Sequence, residues 1–341
     1  MPEANVSGNS PTVPTMLGTQ CVGLSVSMGD SSVANEDAIN ELLKRGISHH
    51  EADEVVEARN IYVEILERDP QNHRALDLAG LLCMQCDELD AAADFFASAI
   101  ELDPESGRYL CHAGTLELHQ GNFERATELL LKAIENDPEI SESFLSLALV
   151  YRAEKKIGDA IAVIESGLSH EPDNSRLLTW RGVLEVDRED LPSAAEFLHQ
   201  AIDADHDNIE AMVTLGNVMV ELDELDVAQR CYTSVKERIP EDIGTRCRLS
   251  VLLKRLGKRD EAVRELEEAF AEAPAESETF NEIALLFESL GQDDDAIVAA
   301  ERAVALDAGN AASFKLLARL HEKAGNEEAA KEAKDRSSAL S

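Results

Sequence analysis

The sequence is short of positive charge. Its 341 residues hold 68 Asp and Glu against 31 Lys and Arg, a formal charge of −37. Nucleic-acid binding needs a basic face that displaces counterions from phosphates, so no nucleic-acid partner is expected, and docking on anionic lipid is equally disfavoured. Aromatic residues are also scarce, at 4%, which leaves Leu, Ile, Val and Ala to build any core. Long apolar runs are missing. Stretches such as LALVY at 147–151 fall far short of the roughly 20 residues that cross a bilayer, so no membrane insertion is expected. The first basic residue is Lys44, so the start lacks the positive region of a secretory signal. Without such a signal, the six cysteines at 21, 83, 86, 111, 231 and 247 read as reduced thiols of a cytoplasmic protein.

Residues 1–38 are rich in Ser, Thr, Pro, Gly and Asn, with four acidic residues and no basic ones. Such a segment buries too little apolar surface to offset its chain entropy and is expected to be a disordered tail. Everything after it repeats. Pro70, Pro104, Pro138, Pro172, Pro240 and Pro274 fall on one ladder with a step of 34, and His206 and Ala308 occupy its other two rungs. Twelve residues before each rung stands an alanine: Ala58, Ala92, Ala126, Ala160, Ala194, Ala228, Ala262 and Ala296, followed by Ala330. A fixed period of this length marks a solenoid.

One unit, 107–140, shows what repeats. Leu110, Ala113, Gly114 and Glu117 recur at helical spacing, so the first half is a helix. Gly121-Asn122 interrupts it, and from Glu124 a second helix carries Ala126, Leu130 and Ala133 on one stripe. Asp137-Pro138 ends that helix, because the residue before proline is pushed away from the α region. Small residues at Gly114 and Ala126 let the two helices approach closely, and the hairpin leaves an apolar side for the next hairpin to cover.

This pattern resembles the tetratricopeptide repeat (TPR) family. Gly46, Gly80, Gly114, Gly182 and Gly216 supply its small eighth residue; Tyr62, Phe96, Leu130, Ile164, Leu198, Tyr232 and Leu266 supply its large twenty-fourth. GNFERA at 121–126, GKRDEA at 257–262 and GQDDDA at 291–296 resemble its inter-helix turn. The resemblance implies an all-α fold: a right-handed superhelical solenoid over 39–341, with repeats starting at 39, 73, 107, 141, 175, 209, 243, 277 and 311, the ninth an incomplete capping unit. Two departures stand at the fourth position, Leu178 in repeat 5 and Arg246 in repeat 7. A third is Lys334, where a large apolar residue is expected; it suits a polar capping helix.

Catalytic signatures are missing: there is no Gly-rich phosphate loop, no H-E-x-x-H and no G-x-S-x-G elbow. No enzymatic role and no cofactor is expected. The resemblance implies instead that the first helix of each hairpin lines a concave face, through positions 2, 5, 6, 9, 12 and 13 of the repeat. Those positions offer Arg74, Arg108, Arg176, His112, Arg152, Thr214, Asn217, Arg248, Lys254 and Arg255 as partner-binding candidates. Trp180, the only tryptophan, joins them, either as an anchor for a partner or as packing against the neighbouring repeat. From Ile243 to Arg259 there are six basic residues and no acidic one, which suits an acidic peptide unless Glu265, Glu267, Glu268 and Glu272 of the next helix neutralise them.

The expected function is therefore a protein–protein interaction scaffold, with possible self-association through repeat ends. Two specialised TPR patterns, the chaperone-tail clamp and the inner asparagine ladder, are not reproduced. Residues 58–82 are nevertheless similar to the opening repeat of bacterial arrays associated with glycosyltransferases. An accessory subunit presenting substrates to such an enzyme is thus the alternative. A thiol or metal sensor is a further one: Cys83 and Cys86 lie three residues apart on a helix face, with Cys111 and His112 as weak further ligands. Zinc needs four ligands and no second C-x-x-C exists, so no metal site is expected.

Overall fold

A computed structural model describes residues 30–340 as eighteen α-helices. The first helices of successive hairpins are α1 (Asp30–Glu51), α3 (His73–Gln85), α5 (Gly107–His119), α7 (Ser141–Ala153) and α9 (Ser175–Asp187). They continue with α11 (Ile209–Glu221), α13 (Ile243–Arg255), α15 (Ser277–Ser289) and α17 (Ala311–Lys323). The second helices are α2 (Val55–Arg68), α4 (Leu89–Leu102), α6 (Phe123–Asn136), α8 (Ile157–His170) and α10 (Leu191–Ala204). The last four are α12 (Leu225–Arg238), α14 (Arg259–Glu272), α16 (Asp293–Leu306) and α18 (Glu327–Leu340).

The start of the array differs from expectation. Residues 30–38 extend α1 and are not a tail; the remainder of the expected tail, 1–29 with Cys21, lies outside the described residues. Once a helix is anchored by tertiary packing, adding turns avoids the nucleation cost.

Each hairpin turns in the same way. One residue per turn takes a left-handed backbone: Asp53, Asp87, Gly121, Lys155, Glu189, Asp223, Gly257, Gly291 and Gly325, with φ between 59° and 78°. In the turn after α5, Gly121 N–H donates to Leu118 O at 3.0 Å and Asn122 N–H to Glu117 O at 2.8 Å, the paired bonds that close a helix C-terminus. Five of the nine turns adopt this conformation without glycine, against its intrinsic cost. Before the first helices, Asn72, Asn174, Asn208 and Asp242 cap the free amides, accepting from Ala75, Leu177, Ala211 and Thr245 at 2.9–3.3 Å.

The alanine ladder is where the helices meet. From Ala58 to Ala296 every rung has no exposed surface, and Ala330 is also buried. Opposite lies the small eighth residue. A Cβ placed on Gly182 would stand 2.7 Å from Leu198 Cγ, and one on Gly114 2.7 Å from Leu130 Cγ. The large twenty-fourth residue thus fills the space that glycine leaves. The last hairpin keeps both helices but changes chemistry: Lys334 of α18 is exposed and pairs with Glu322, as a solvent-facing cap requires.

Successive first helices pack side by side along most of the array, closer than successive second helices. The first helices therefore form the inner, concave layer. Among neighbouring first helices, α11 and α13 approach each other least.

Repeat 5 carries a buried charge pair in its core. At the seventh position, where Leu147, Leu215, Leu249, Ile283 and Leu317 stand in other repeats, Arg181 is buried beside the equally buried Glu185. Arg181 also reaches Glu165 at 3.2 Å and lies 4.5 Å from the Phe197 ring centroid, while its Nε finds no partner. Removing Arg181 leaves the buried Glu185 with only the half-exposed Arg188, at 3.3 Å. Arg181→Met is therefore expected to lower unfolding free energy by about 3 kcal/mol, and adding Glu185→Leu to recover most of it. Urea unfolding of both variants checks this; equal loss in single and double variants would mean that the pair itself stabilises the array.

Candidate functional site

The concave layer is built by the inward faces of the first helices, and its charges are mostly engaged across repeats. Arg152 on α7 donates to Asp187 on α9 from Nε at 2.5 Å and from Nη2 at 3.2 Å. Arg176 reaches back to Glu142 at 2.7 Å. Arg255 donates to Asp223 Oδ1 at 3.0 Å and to Val220 O at 3.3 Å. His112 Nδ1 lies 2.7 Å from Oδ1 of the buried Asp77. In each case the partners are 32–35 residues apart, one repeat step.

Trp180 sits in the middle of this layer. It is half-buried, packed against the Phe144, Leu145 and Ile161 cluster of repeat 4. The Arg152 guanidinium lies over its ring, 5.7 Å from the centroid. Asp187 fixes the guanidinium, so ring and cation are held together as one preorganised unit. Trp180 is thus partly packed against the cluster shared by repeats 4 and 5 and partly exposed.

Towards the N-terminal end, Arg74 and Arg108 are exposed and flank a cleft of about 380 Å³ with His73, Asp77 and Tyr109. His73 Nδ1 meets the Tyr109 hydroxyl at 2.7 Å. Towards the other end, Arg248 and Arg255 line a second cleft of about 230 Å³, together with Tyr232, Val251, Glu282 and Leu286. Asn217 is exposed, and its Oδ1 accepts from the Tyr232 hydroxyl at 2.8 Å. Burial pushes that hydroxyl up to about 12, so it remains a donor. Thr214 is half-buried on α11, and Lys254 is exposed but outside the cleft lining.

The basic run of repeat 7 divides in two. Arg246 turns away from the groove into the packing between α13 and α14 and is buried. It donates to Pro240 O at 2.9 Å and meets Glu265 at 3.4 Å, Glu272 at 3.5 Å and Glu268. Neutralisation by α14 thus holds for Arg246. It does not extend to Arg248 and Lys254, which have no ion-pair partner among the described residues.

The cysteine pair assembles no ligand set. Cys83 and Cys111 are buried, Cys86 is half-buried, and His112 is engaged with Asp77. Among the described residues no three His, Cys, Asp or Glu side chains converge as metal ligands. Among those residues, too, no helix is long and apolar enough to cross a membrane.

A family model described as a tetratricopeptide repeat matches residues 43–107, 111–168, 145–209 and 247–312, well over half of the sequence. The chain belongs to the tetratricopeptide repeat family. No curated protein matches its sequence. Among solved structures, this TPR array is similar to a chain of the APC/C hetero-tetramer Cut9–Hcn1, at 16% identity and a TM-score of 0.55. That match covers 82% of this chain and 55% of the other, so it spans about half the other's length. It is also similar to an IFIT1 monomeric mutant with m7Gppp-AAAA, at 14% identity, a TM-score of 0.54 and coverage of 87% and 80%. A third, PilF of Pseudomonas aeruginosa, has 19% identity, a TM-score of 0.51 and coverage of 61% and 94%. At these identities the likeness concerns the fold alone. As a TPR protein, the chain is a protein-interaction scaffold in general terms.

Asp187, Asp77, Glu282 and Leu286 complete the inner face and were not named as partner-binding candidates from the sequence. The signal for the first two was available: opposite charges, or an acid and a histidine, one repeat step apart on inward positions.

The thiols carry a measurable consequence. Burial pushes Cys83 and Cys111 from 9.0 up to about 11 and Cys247 up to about 12. A neutral, buried thiol is a poor nucleophile. In the folded protein at pH 8, iodoacetamide is expected to label Cys86 and leave these three intact, read by peptide mass spectrometry. The folded state holds their protons more tightly than the unfolded chain does. Their stabilisation is therefore complete below pH 9.0 and is lost as pH rises towards 11–12. Urea midpoints that stay constant up to pH 11 would contradict this assignment.

Proposed function

We propose that this TPR chain is a non-catalytic scaffold whose concave face takes up a peptide or helix of a partner protein. The observation that carries this reading is the Trp180–Arg152–Asp187 unit. A tryptophan left partly open on the inner layer, with a guanidinium clamped over it, offers an apolar surface and hydrogen-bond donors at one place. Large aromatic side chains and arginine dominate binding energy at protein interfaces. Folding alone does not require this surface to face the groove, since repeats 3, 4, 6 and 7 carry His112, Ser146, Thr214 and Arg248 at the same register.

Trp180→Ala and Arg152→Ala test the reading. Trp180 is half-buried, so its truncation is expected to cost about 2 kcal/mol of stability while leaving a folded array. Circular dichroism should show helicity close to wild type. Proteins captured specifically by the wild-type chain should fall about tenfold with either variant, measured by quantitative mass spectrometry. Undiminished capture by both folded variants would overturn the role of this surface.

A further inference from the structure

We propose that the cleft between α11, α13 and α15 docks an acidic segment of a partner protein. One large apolar side chain of that segment enters the cleft, and flanking carboxylates settle on Arg248 and Lys254. This inference rests on the concave-face reading above and names the chemistry of the occupant.

Three independent features meet at this place. The first is space. Between α11, α13 and α15 lies a cleft of about 230 Å³ walled by Val220, Tyr232, Val251 and Leu286. An apolar cavity of roughly 150 Å³ holds a benzene-sized group, so the cleft accommodates one leucine or phenylalanine side chain. The second is uncovered apolar surface. Val251 in the cleft wall is 42% exposed, and Leu285, one repeat step away on α15 and outside the lining, is 46% exposed.

The third feature is charge. In a chain of −37, cations find acidic partners easily, and Arg255, Arg319 and Lys323 on this same layer have done so. Arg248 and Lys254 have not. The α14 carboxylates that could reach this repeat are drawn to Arg246 on the other side of α13. Asn217 adds to the donors, because its Oδ1 is occupied by Tyr232 and its amide N–H groups stay free for an acceptor. Glu282 is the single acid in the cleft lining, facing two guanidiniums. The rim therefore presents mainly donors and positive charge around an apolar opening, the complement of a carboxylate-flanked apolar side chain.

The neighbouring connection also departs from the pattern. At α14 the chain leaves through Ala273-Pro274 without the backbone bond from the capping residue that closes the other second helices from α2 to α16. Phe270 bridges the junction instead, edge-on to Phe280 and Phe287 at centroid distances of 5.4 and 6.4 Å.

The test is selection of a random 12-residue peptide library displayed on phage against the full-length protein, followed by fluorescence anisotropy of the labelled consensus peptide. The expected consensus carries Asp or Glu around one Leu, Ile, Phe or Met. Arg248→Glu combined with Lys254→Glu should weaken its binding by at least about tenfold, and Val251→Asp should weaken it independently. Arg248 and Lys254 lie outside ion pairs and Val251 is 42% exposed, so each variant should keep wild-type helicity by circular dichroism. A consensus lacking acids, no enriched peptide, or equal binding to the charge-reversed variant overturns the inference. Selected peptides of another composition that Trp180→Ala releases would leave the concave-face reading standing. Peptides indifferent to both sets of substitutions would overturn both.

Discussion

The structure depends on how closely two helices can approach at one alanine per repeat. From Ala58 to Ala296 the rung has no exposed surface, and the small eighth residue across from it leaves room only for the large twenty-fourth. Interiors packed this tightly do not absorb an extra methylene without shifting their neighbours. Repetition at an unbroken step of 34 residues therefore gives every hairpin nearly the same internal geometry. Each hairpin covers the apolar side of the one before. The concave layer follows, because the first helices lie nearer one another than the second helices do.

Because the ladder carries the packing, inward positions are released from it. They hold a tryptophan, a histidine, a threonine and an arginine at one register without disturbing the rungs beneath. What organises them is a second, weaker set of links one repeat step long: His112 to Asp77, Arg152 to Asp187, Arg176 to Glu142 and Arg255 to Asp223. The three arginine–carboxylate pairs among them are largely exposed and add little stability. Their larger effect is on shape, since each fixes one long side chain and leaves the unlinked ones as the donors still available to a partner.

The fold was legible because periodicity is a global property that single substitutions do not erase. Helix starts at His73, Gly107, Ser141 and Ser175 coincide with the expected repeat starts. The turns were legible only where glycine marks them. Lys155 and Glu189 take the same left-handed backbone with no local sign of it, whereas Asp53, Asp87 and Asp223 are of a type that tolerates it. The start of α1 was misplaced because a polar sequence can be helical when it extends a helix anchored elsewhere. At the candidate site, the inward positions could be listed from the repeat, but not their pairing. Arg246 and Arg248 are two residues apart and look alike in sequence. One enters the interior and the other faces the groove, because two positions along a helix are about 200° of rotation.

That separation explains why repeat 7 differs from its neighbours. An arginine in the core slot must be matched, and Glu265, Glu268 and Glu272 on α14 converge on Arg246. Lys236 from the preceding repeat also draws on Glu265, at 2.5 Å. The acidic side of the repeat is thereby committed to its outer, interior-facing seam. On the inner seam Asp223 holds Arg255, and Glu282 shares the cleft lining with Arg248, but neither Arg248 nor Lys254 has an ion-pair partner among the described residues. A substitution in the packing core thus fixes the charge of a surface on the opposite side of the same helix. The inner face becomes cationic here because the interior, not the groove, has taken the available acids.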